Sequence, residues 1–168
     1  MDLGLKGKVA VVTGGDSGIG KATAQLLAQE GANVAVIDKT AEPLKQAVEE
    51  VSQFEEALAV QADLTKLKQV EAAKCQILEH FGTVHILVHA AGIIGATGDF
   101  LELSDDDWYQ TIETDLMAAV RTCRAFIPSM REAGWGRGFC SVLKMRCNPT
   151  RRSYPTALAR RNYSISNK

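Results

Sequence analysis

The chain is poor in the features that mark most specialised proteins. No apolar run is long enough to span a bilayer, and residues 1–8 contain no signal-peptide core, so a cytoplasmic location is the default expectation. The four cysteines (75, 123, 140 and 147) make no C-x-x-C pair and no small-scaffold disulfide pattern. They read as separate, unremarkable thiols. His80, His85 and His89 are not spaced around a carboxylate, which argues against a metal centre. Net charge is −1, which gives no electrostatic basis for nucleic acid or an anionic membrane as partner. What remains is an ordinary globular composition, 46% hydrophobic over 168 residues, enough for one domain with a real core.

The organising stretch begins at Val9. Val9, Ala10, Val11 and Val12 form a short, valine-rich run of the kind that makes a buried parallel strand. Thr13 and a glycine turn follow, with Gly14, Gly15, Asp16, Ser17, Gly18, Ile19 and Gly20. Residues 21–30 read as a helix with Ile19, Ala22, Leu26 and Leu27 on its inward face, and Gly31 fits its left-handed end. Such a strand, turn and helix aim backbone N–H groups and a helix dipole at one point, where a pyrophosphate can sit. Gly14 would let the chain reverse, Gly18 would let the backbone approach the phosphates, and Gly20 would let helix and strand pack closely. A turn that merely favours glycine shows the same bare pattern, so the context has to decide.

That context continues. A second strand, residues 33–38, ends in Asp38, where an acid can accept hydrogen bonds from an adenosine ribose and repel a 2′-phosphate. Asp38 therefore favours NAD over NADP, whereas the neighbouring Lys39 softens the preference and leaves NADP open. Thr40 can cap the next helix, with Pro43 in its first turn and Leu44, Val48 and Val51 facing inward. Residues 57–60 give a third strand, followed by Asp63 and Leu64. Val70, Ile77 and Phe81, with Leu67 and Leu78 beside them, mark a helix closed by Gly82. Residues 84–88 are a fourth strand, running into His89, Ala90, Ala91 and Gly92. A loop spans 93–103. Ser104 and Asp107 then form a capping-box pattern ahead of a long helix, with Trp108, Ile112, Leu116 and Val120 on its apolar face and Pro128 kinking or ending it. Strand–helix alternation over 9–136 predicts an α/β fold, a doubly wound parallel sheet of Rossmann type.

With the spacing Gly-x-x-x-Gly-x-Gly after Thr13, the sequence resembles the short-chain dehydrogenase/reductase family. Asp38, Asp63, Ala91-Gly92 and the Trp108 helix follow in the family's order, over about four-fifths of the chain. The resemblance implies an NAD(P)-dependent oxidoreductase transferring hydride between the cofactor and a small-molecule alcohol or ketone. It implies cofactor contacts from Gly14, Asp16, Ser17, Gly18, Ile19, Gly20, Asp38, Lys39, Asp63, Leu64, His89, Ala90, Ala91 and Gly92, with Asp63 and Leu64 flanking the adenine. The family's Asn-Asn-Ala-Gly becomes His89-Ala90-Ala91-Gly92, and Asp115 stands where the family has a helix asparagine whose backbone carbonyl supports a proton-relay water. Nothing in the sequence near His89 would orient it as a catalyst, so it reads as a strand-end residue. The family is homo-oligomeric through the long helix, so this chain is expected to self-associate.

Past Arg137 the resemblance stops. The family's serine position falls on Val142 or Leu143, with Ser141 on the wrong strand face. Tyr154 is followed four residues later by Leu158, Tyr163 by Asn167, and Lys168 is one position too late, so no Tyr-x-x-x-Lys pair is present. Residues 137–168 hold eight of the 19 basic residues and none of the 20 acids. The expected organisation is therefore an incomplete dinucleotide-binding domain over 1–136, truncated after about strand five. A basic, irregular tail over 137–168 would follow, produced by a frameshift near codon 137 or else a real extension. An oxidoreductase fragment without its catalytic pair and a nucleotide-binding or regulatory half-domain both fit. The substrate is left open.

Overall fold

The computed structural model describes residues 3–140 and the strand at 161–166. Six strands form a single sheet: β1 (Val9–Thr13), β2 (Asn33–Asp38), β3 (Ala57–Gln61), β4 (Ile86–His89), β5 (Trp135–Cys140) and β6 (Arg161–Ser166). Their spatial order is β3-β2-β1-β4-β5-β6, parallel throughout except for β6. The predicted doubly wound α/β architecture is the one observed.

The helices are α1 (Gly18–Gln29), α2 (Ala41–Val51), α3 (Leu67–Phe81), α4 (Asp105–Thr111) and α5 (Ala118–Glu132), with a π-helical stretch, Ile112–Met117, joining the last two. Strand side chains alternate between two cores. Ala10, Val12, Val34, Val36, Ile86 and Val88 pack with α1 and α2 on one face. Val11, Ala35, Ile37 and Leu87 pack with α3 and α5 on the other. Because both faces are covered, the central strands are apolar on both sides, which is why they read as continuous runs rather than alternating ones.

Several local expectations hold. Leu44, Val48 and Val51 are buried. Gly31 (φ +85°) ends α1, with its N–H donating to the Ala28 carbonyl and the Ala32 N–H to that of Leu27. This is the paired bonding of a Schellman motif. Ser104 and Asp107 bond reciprocally as a capping box. Thr40 sits at the N-cap of α2 but its side chain makes no capping bond.

Others need correction. On α1 the inward residues are Gly20, Ala24 and Ala28, with Leu27 partly buried against them. Ile19 (73% exposed) and Leu26 (61%) face outward, as does Ala22. On the long helix the buried positions are Thr111, Asp115, Ala118, Ala119, Thr122, Ala125, Phe126, Ser129 and Met130, while Ile112 and Leu116 are exposed. Both errors share a cause: where a helix lies closest to the sheet small residues make the contact, and large ones such as Phe126 and Met130 mark the inner face only further along. Leu67 is likewise exposed. Pro128 does not end α5, which continues to Glu132. Nor are the cysteines all separate, since Cys123 and Cys140 Sγ lie 3.6 Å apart.

The sequence predicts an irregular tail, yet β6 pairs antiparallel with β5, Tyr163 opposite Gly138. The outer edge of β5 offers unpaired backbone groups that an extended segment can satisfy without any side-chain pattern. The positions on which the catalytic expectation turns, Ser141, Val142, Leu143, Tyr154, Leu158, Asn167 and Lys168, lie outside the described residues.

Candidate dinucleotide site

The strand order reverses between β1 and β4, and in open α/β sheets ligands bind beyond the carboxyl ends of strands at such a point. A cleft of about 710 Å³ lies there, within the usual range for ligand sites. Its walls come from the segments that follow β1, β2, β3 and β4.

The glycine turn forms one wall. Gly14 adopts φ +65°, and a Cβ on it would stand 2.6 Å from the Ala91 backbone. It therefore serves both the chain reversal and the packing of the turn on the loop after β4. A Cβ on Gly20 would run into the Gly14 carbonyl oxygen, so α1 can start this close only with glycine there. Ser17 is the N-cap of α1, but its hydroxyl donates to Asp16 Oδ1 (2.8 Å) and makes no capping bond. Among the described residues the first N–H groups of α1 thus have no capping side chain at the mouth of the cleft, and a Cβ on Gly18 would meet nothing within 4 Å. Open space beside uncapped helix N–H groups suits a phosphate.

Asp38, at the end of β2, lines the cleft next to Asp16 of the turn. Its Oδ1 accepts the Lys39 N–H (2.6 Å) and the Thr40 N–H (3.3 Å). Burial, and then the nearby Asp16 charge, push its carboxyl above the usual value despite those bonds. Asp63, just past the neighbouring strand β3, also lines the cleft, and its Oδ1 accepts both the Thr65 hydroxyl (2.7 Å) and the Thr65 N–H (2.9 Å). The Thr65 hydroxyl chiefly holds the Asp63 carboxyl below its usual value.

Of the residues expected here, Gly14, Asp16, Ser17, Gly18, Ile19, Gly20, Asp38, Lys39, Asp63, Leu64, Ala90, Ala91 and Gly92 all line the cleft. His89 does not. It is fully buried beneath the cleft floor, with Nδ1 3.0 Å from Thr13 Oγ1. Thr13 is thus the orienting partner that the sequence did not reveal. Burial lowers the imidazole pKa to about 4, so the ring is neutral. Asp115 also stays off the cleft surface. It is 2% exposed, and its Oδ1 accepts the Ile93 N–H (2.8 Å), tying the π-helical stretch to the loop after β4.

Sequence reasoning missed Thr40, Thr65, Lys66, Gln110, Glu113 and Thr114, which also line the cleft. Thr40, Thr65 and Lys66 were findable as the residues just beyond recognised strand-end acids. The other three come from the later helix and carried no local signal.

A doubly wound sheet with a glycine turn at its switch point and an acid ending the second strand defines a dinucleotide-type fold. The family model for short chain dehydrogenases matches residues 8–155. The chain belongs to the short chain dehydrogenase family. It is 39% identical over 137 residues to the uncharacterized oxidoreductase YvrD of Bacillus subtilis (strain 168), covering 82% of this chain and 51% of that protein. Among solved structures it is similar to L-sorbose reductase from Gluconobacter frateurii in complex with NADPH and L-sorbose, with TM-score 0.77 and 37% identity over 81% of this chain and 52% of that one. It is also similar to an NAD+-bound xylitol dehydrogenase, with TM-score 0.76 and 29% identity over 79% of this chain and 51% of that one. The chain therefore spans about half the length of these relatives.

Proposed function

We propose that the cleft binds a nicotinamide dinucleotide, NAD more tightly than NADP, and that the whole protein is an oxidoreductase transferring hydride between that cofactor and an alcohol or ketone. The observation that carries the reading is that the N-terminus of α1, uncapped by Ser17, and the Asp38 carboxylate line one cleft. In this assignment the backbone N–H groups at 18–20 hold the pyrophosphate, Asp38 accepts from the adenosine ribose, and Asp63 and Leu64 border the adenine. When bound, the cofactor supplies or takes up the hydride; this chain's residues bind and orient it. NADPH in the sorbose reductase and NAD+ in the xylitol dehydrogenase support a family cleft able to take either.

We further propose that the 168-residue chain by itself binds cofactor without turning over substrate. General acid–base catalysis contributes roughly 10²–10⁴-fold, and no tyrosine of the sequence is followed four positions later by lysine. A domain boundary near residue 137, with the stretch after it either a frameshift product or a real extension, belongs to the same proposal; the family match as far as residue 155 counts against a frameshift at 137. Calorimetric titration with NAD and NADP, alongside an oxidation assay over a panel of secondary alcohols, tests the reading. Binding with NAD preferred and no turnover is expected. Absence of dinucleotide binding sinks the first part, and turnover lost in Tyr154→Phe or Tyr163→Phe sinks the second. Self-association through the exposed Tyr109, Ile112 and Leu116 surface of the long helix is also expected, as concentration-dependent sedimentation.

A further inference from the structure

Cys123 lies in the first half of α5 and Cys140 at the end of β5, 17 positions apart in sequence with 3.6 Å between their Sγ atoms. That separation is sulfur–sulfur contact, about 1.6 Å longer than a disulfide bond of roughly 2.05 Å. The two thiols differ in access. Cys140 is buried, whereas Cys123 is partly exposed at the edge of the core. We propose that Cys123 and Cys140 form a redox-active dithiol that a small hydroperoxide converts to an intramolecular disulfide joining α5 to β5.

The asymmetry assigns the roles. Either sulfur can be the donor in this contact, which favours ionisation of one thiol of the pair while the other stays protonated. Cys123 is the more accessible sulfur of the pair, and access to the oxidant selects it as the attacking cysteine. Its thiolate attacks one oxygen of hydrogen peroxide, the O–O bond breaks, hydroxide leaves, and Cys123 becomes a sulfenic acid. The Cys140 sulfur then attacks the Cys123 sulfur. The S–O bond breaks, and the oxygen leaves as water, taking up the proton released from the Cys140 thiol. In sum, two thiols are oxidised and one peroxide reduced, giving one disulfide and two waters. Cys140 pairs in register with His89, one residue before the cleft-lining Ala90, so the cross-link would be made beside the strand that supports the cleft floor.

Tryptic mapping resolves the question, because cleavage after Arg121 and Arg124 isolates Cys123 in a tripeptide, and cleavage after Arg137 and Lys144 isolates Cys140. The chain is treated with hydrogen peroxide, alkylated and digested without reductant, both as the natural sequence and as the Cys75→Ser/Cys147→Ser variant, which keeps only the pair. The expected product is those two peptides joined within one chain, lighter than their sum by two hydrogens and separated by dithiothreitol. In the natural sequence this link should form ahead of any involving Cys75 or Cys147. Adding Cys140→Ser should stop the reaction at a dimedone-trappable sulfenic acid on Cys123. Recovery of both thiols unoxidised, a link between chains, or Cys123 running on to sulfinic acid while Cys140 stays reduced would overturn the proposal. Should the double variant fail to fold, the map of the natural sequence decides alone.

Discussion

The Thr13 side chain bridges the ends of β1 and β4: its Oγ1 accepts the Ala91 N–H (3.3 Å) and lies 3.0 Å from His89 Nδ1. With the ring neutral, the hydroxyl can donate to Nδ1, so one threonine fixes both the floor of the cleft and the imidazole beneath it. The arrangement depends on His89 staying uncharged, and burial leaves its Nε2 without a hydrogen-bond partner among the described residues.

A pH dependence follows. In the unfolded chain His89 protonates near 6.5, but in the fold only near 4. Between those values the unfolded state binds more protons, so stability is fully present above about 6.5 and falls as pH drops through the window toward about 4. The full shift corresponds to a loss on the order of 3 kcal/mol. His85 adds in the same direction, since burial and then Lys8 lower its pKa. His89→Asn offers Thr13 a polar partner that does not titrate. Urea midpoints measured from about pH 7 to pH 4 should fall less steeply in this variant than in the natural sequence. Parallel curves would show that His89 is not held neutral.

Gly18 and Gly20 separate binding from folding. A methyl on Gly20 would collide with the turn's own backbone, so Gly20→Ala should cost about 1–3 kcal/mol of stability through overpacking. Gly18 has φ +52° with open space beyond it. Gly18→Ala should therefore cost only the left-handed strain, about 1–2 kcal/mol, yet weaken NAD at least about tenfold by crowding the phosphate space. Thermal unfolding and calorimetry on both variants check this. Natural affinity in Gly18→Ala would remove the turn from the site.

Asp38 governs the choice of cofactor. It lies beside Asp16 in a partly buried position, so a 2′-phosphate placed there would meet two carboxylates. Asp38→Ser keeps an oxygen for the Lys39 and Thr40 N–H groups while removing one charge. The ratio of NADP to NAD affinity should rise about tenfold or more. Lys39→Ala should move it the other way. An unchanged ratio in Asp38→Ser would mean that Asp38 does not touch the ribose.

The sheet was legible in the sequence because strands buried on both faces are written as unbroken runs, such as Val9 to Val12, and because the turn at Gly14 has few other uses. Most of the cleft was legible for the same reason, since that part of its lining hangs from strand ends already located, whereas Gln110, Glu113 and Thr114 reach it from the later helix. Helix faces were less so. At Gly20, Ala24 and Ala28, and again at Ala118, Thr122 and Ala125, the closest contacts use small or hydroxyl side chains that a hydrophobic period undervalues. The π-helical stretch left no mark, because a single changed hydrogen-bond register depends on what the helix must reach, here the Ile93 N–H, rather than on its own residues. The pairing of Cys123 with Cys140 was invisible likewise, being set by how α5 lies on β5.

Asp115 gives the last test. It sits within the π-helical stretch with Oδ1 engaged by the Ile93 N–H, while Oδ2 is buried without a hydrogen-bond partner among the described residues. Burial raises its pKa above 3.8, only partly offset by the Ile93 N–H. Just above that value the folded chain therefore binds more protons than the unfolded one, and stability falls as pH rises through the window between the two pKa values. At neutral pH the full cost of a buried, half-satisfied carboxylate is present. Asp115→Asn keeps an oxygen for Ile93 and removes the charge, so it should stabilise the chain by roughly 1 kcal/mol at about pH 7. The gain should shrink as pH falls toward 4, where the natural carboxyl takes up its proton. Urea unfolding of both proteins at the two pH values measures it. An Asp115→Asn midpoint at or below that of the natural sequence at neutral pH would mean that the second oxygen is solvated after all.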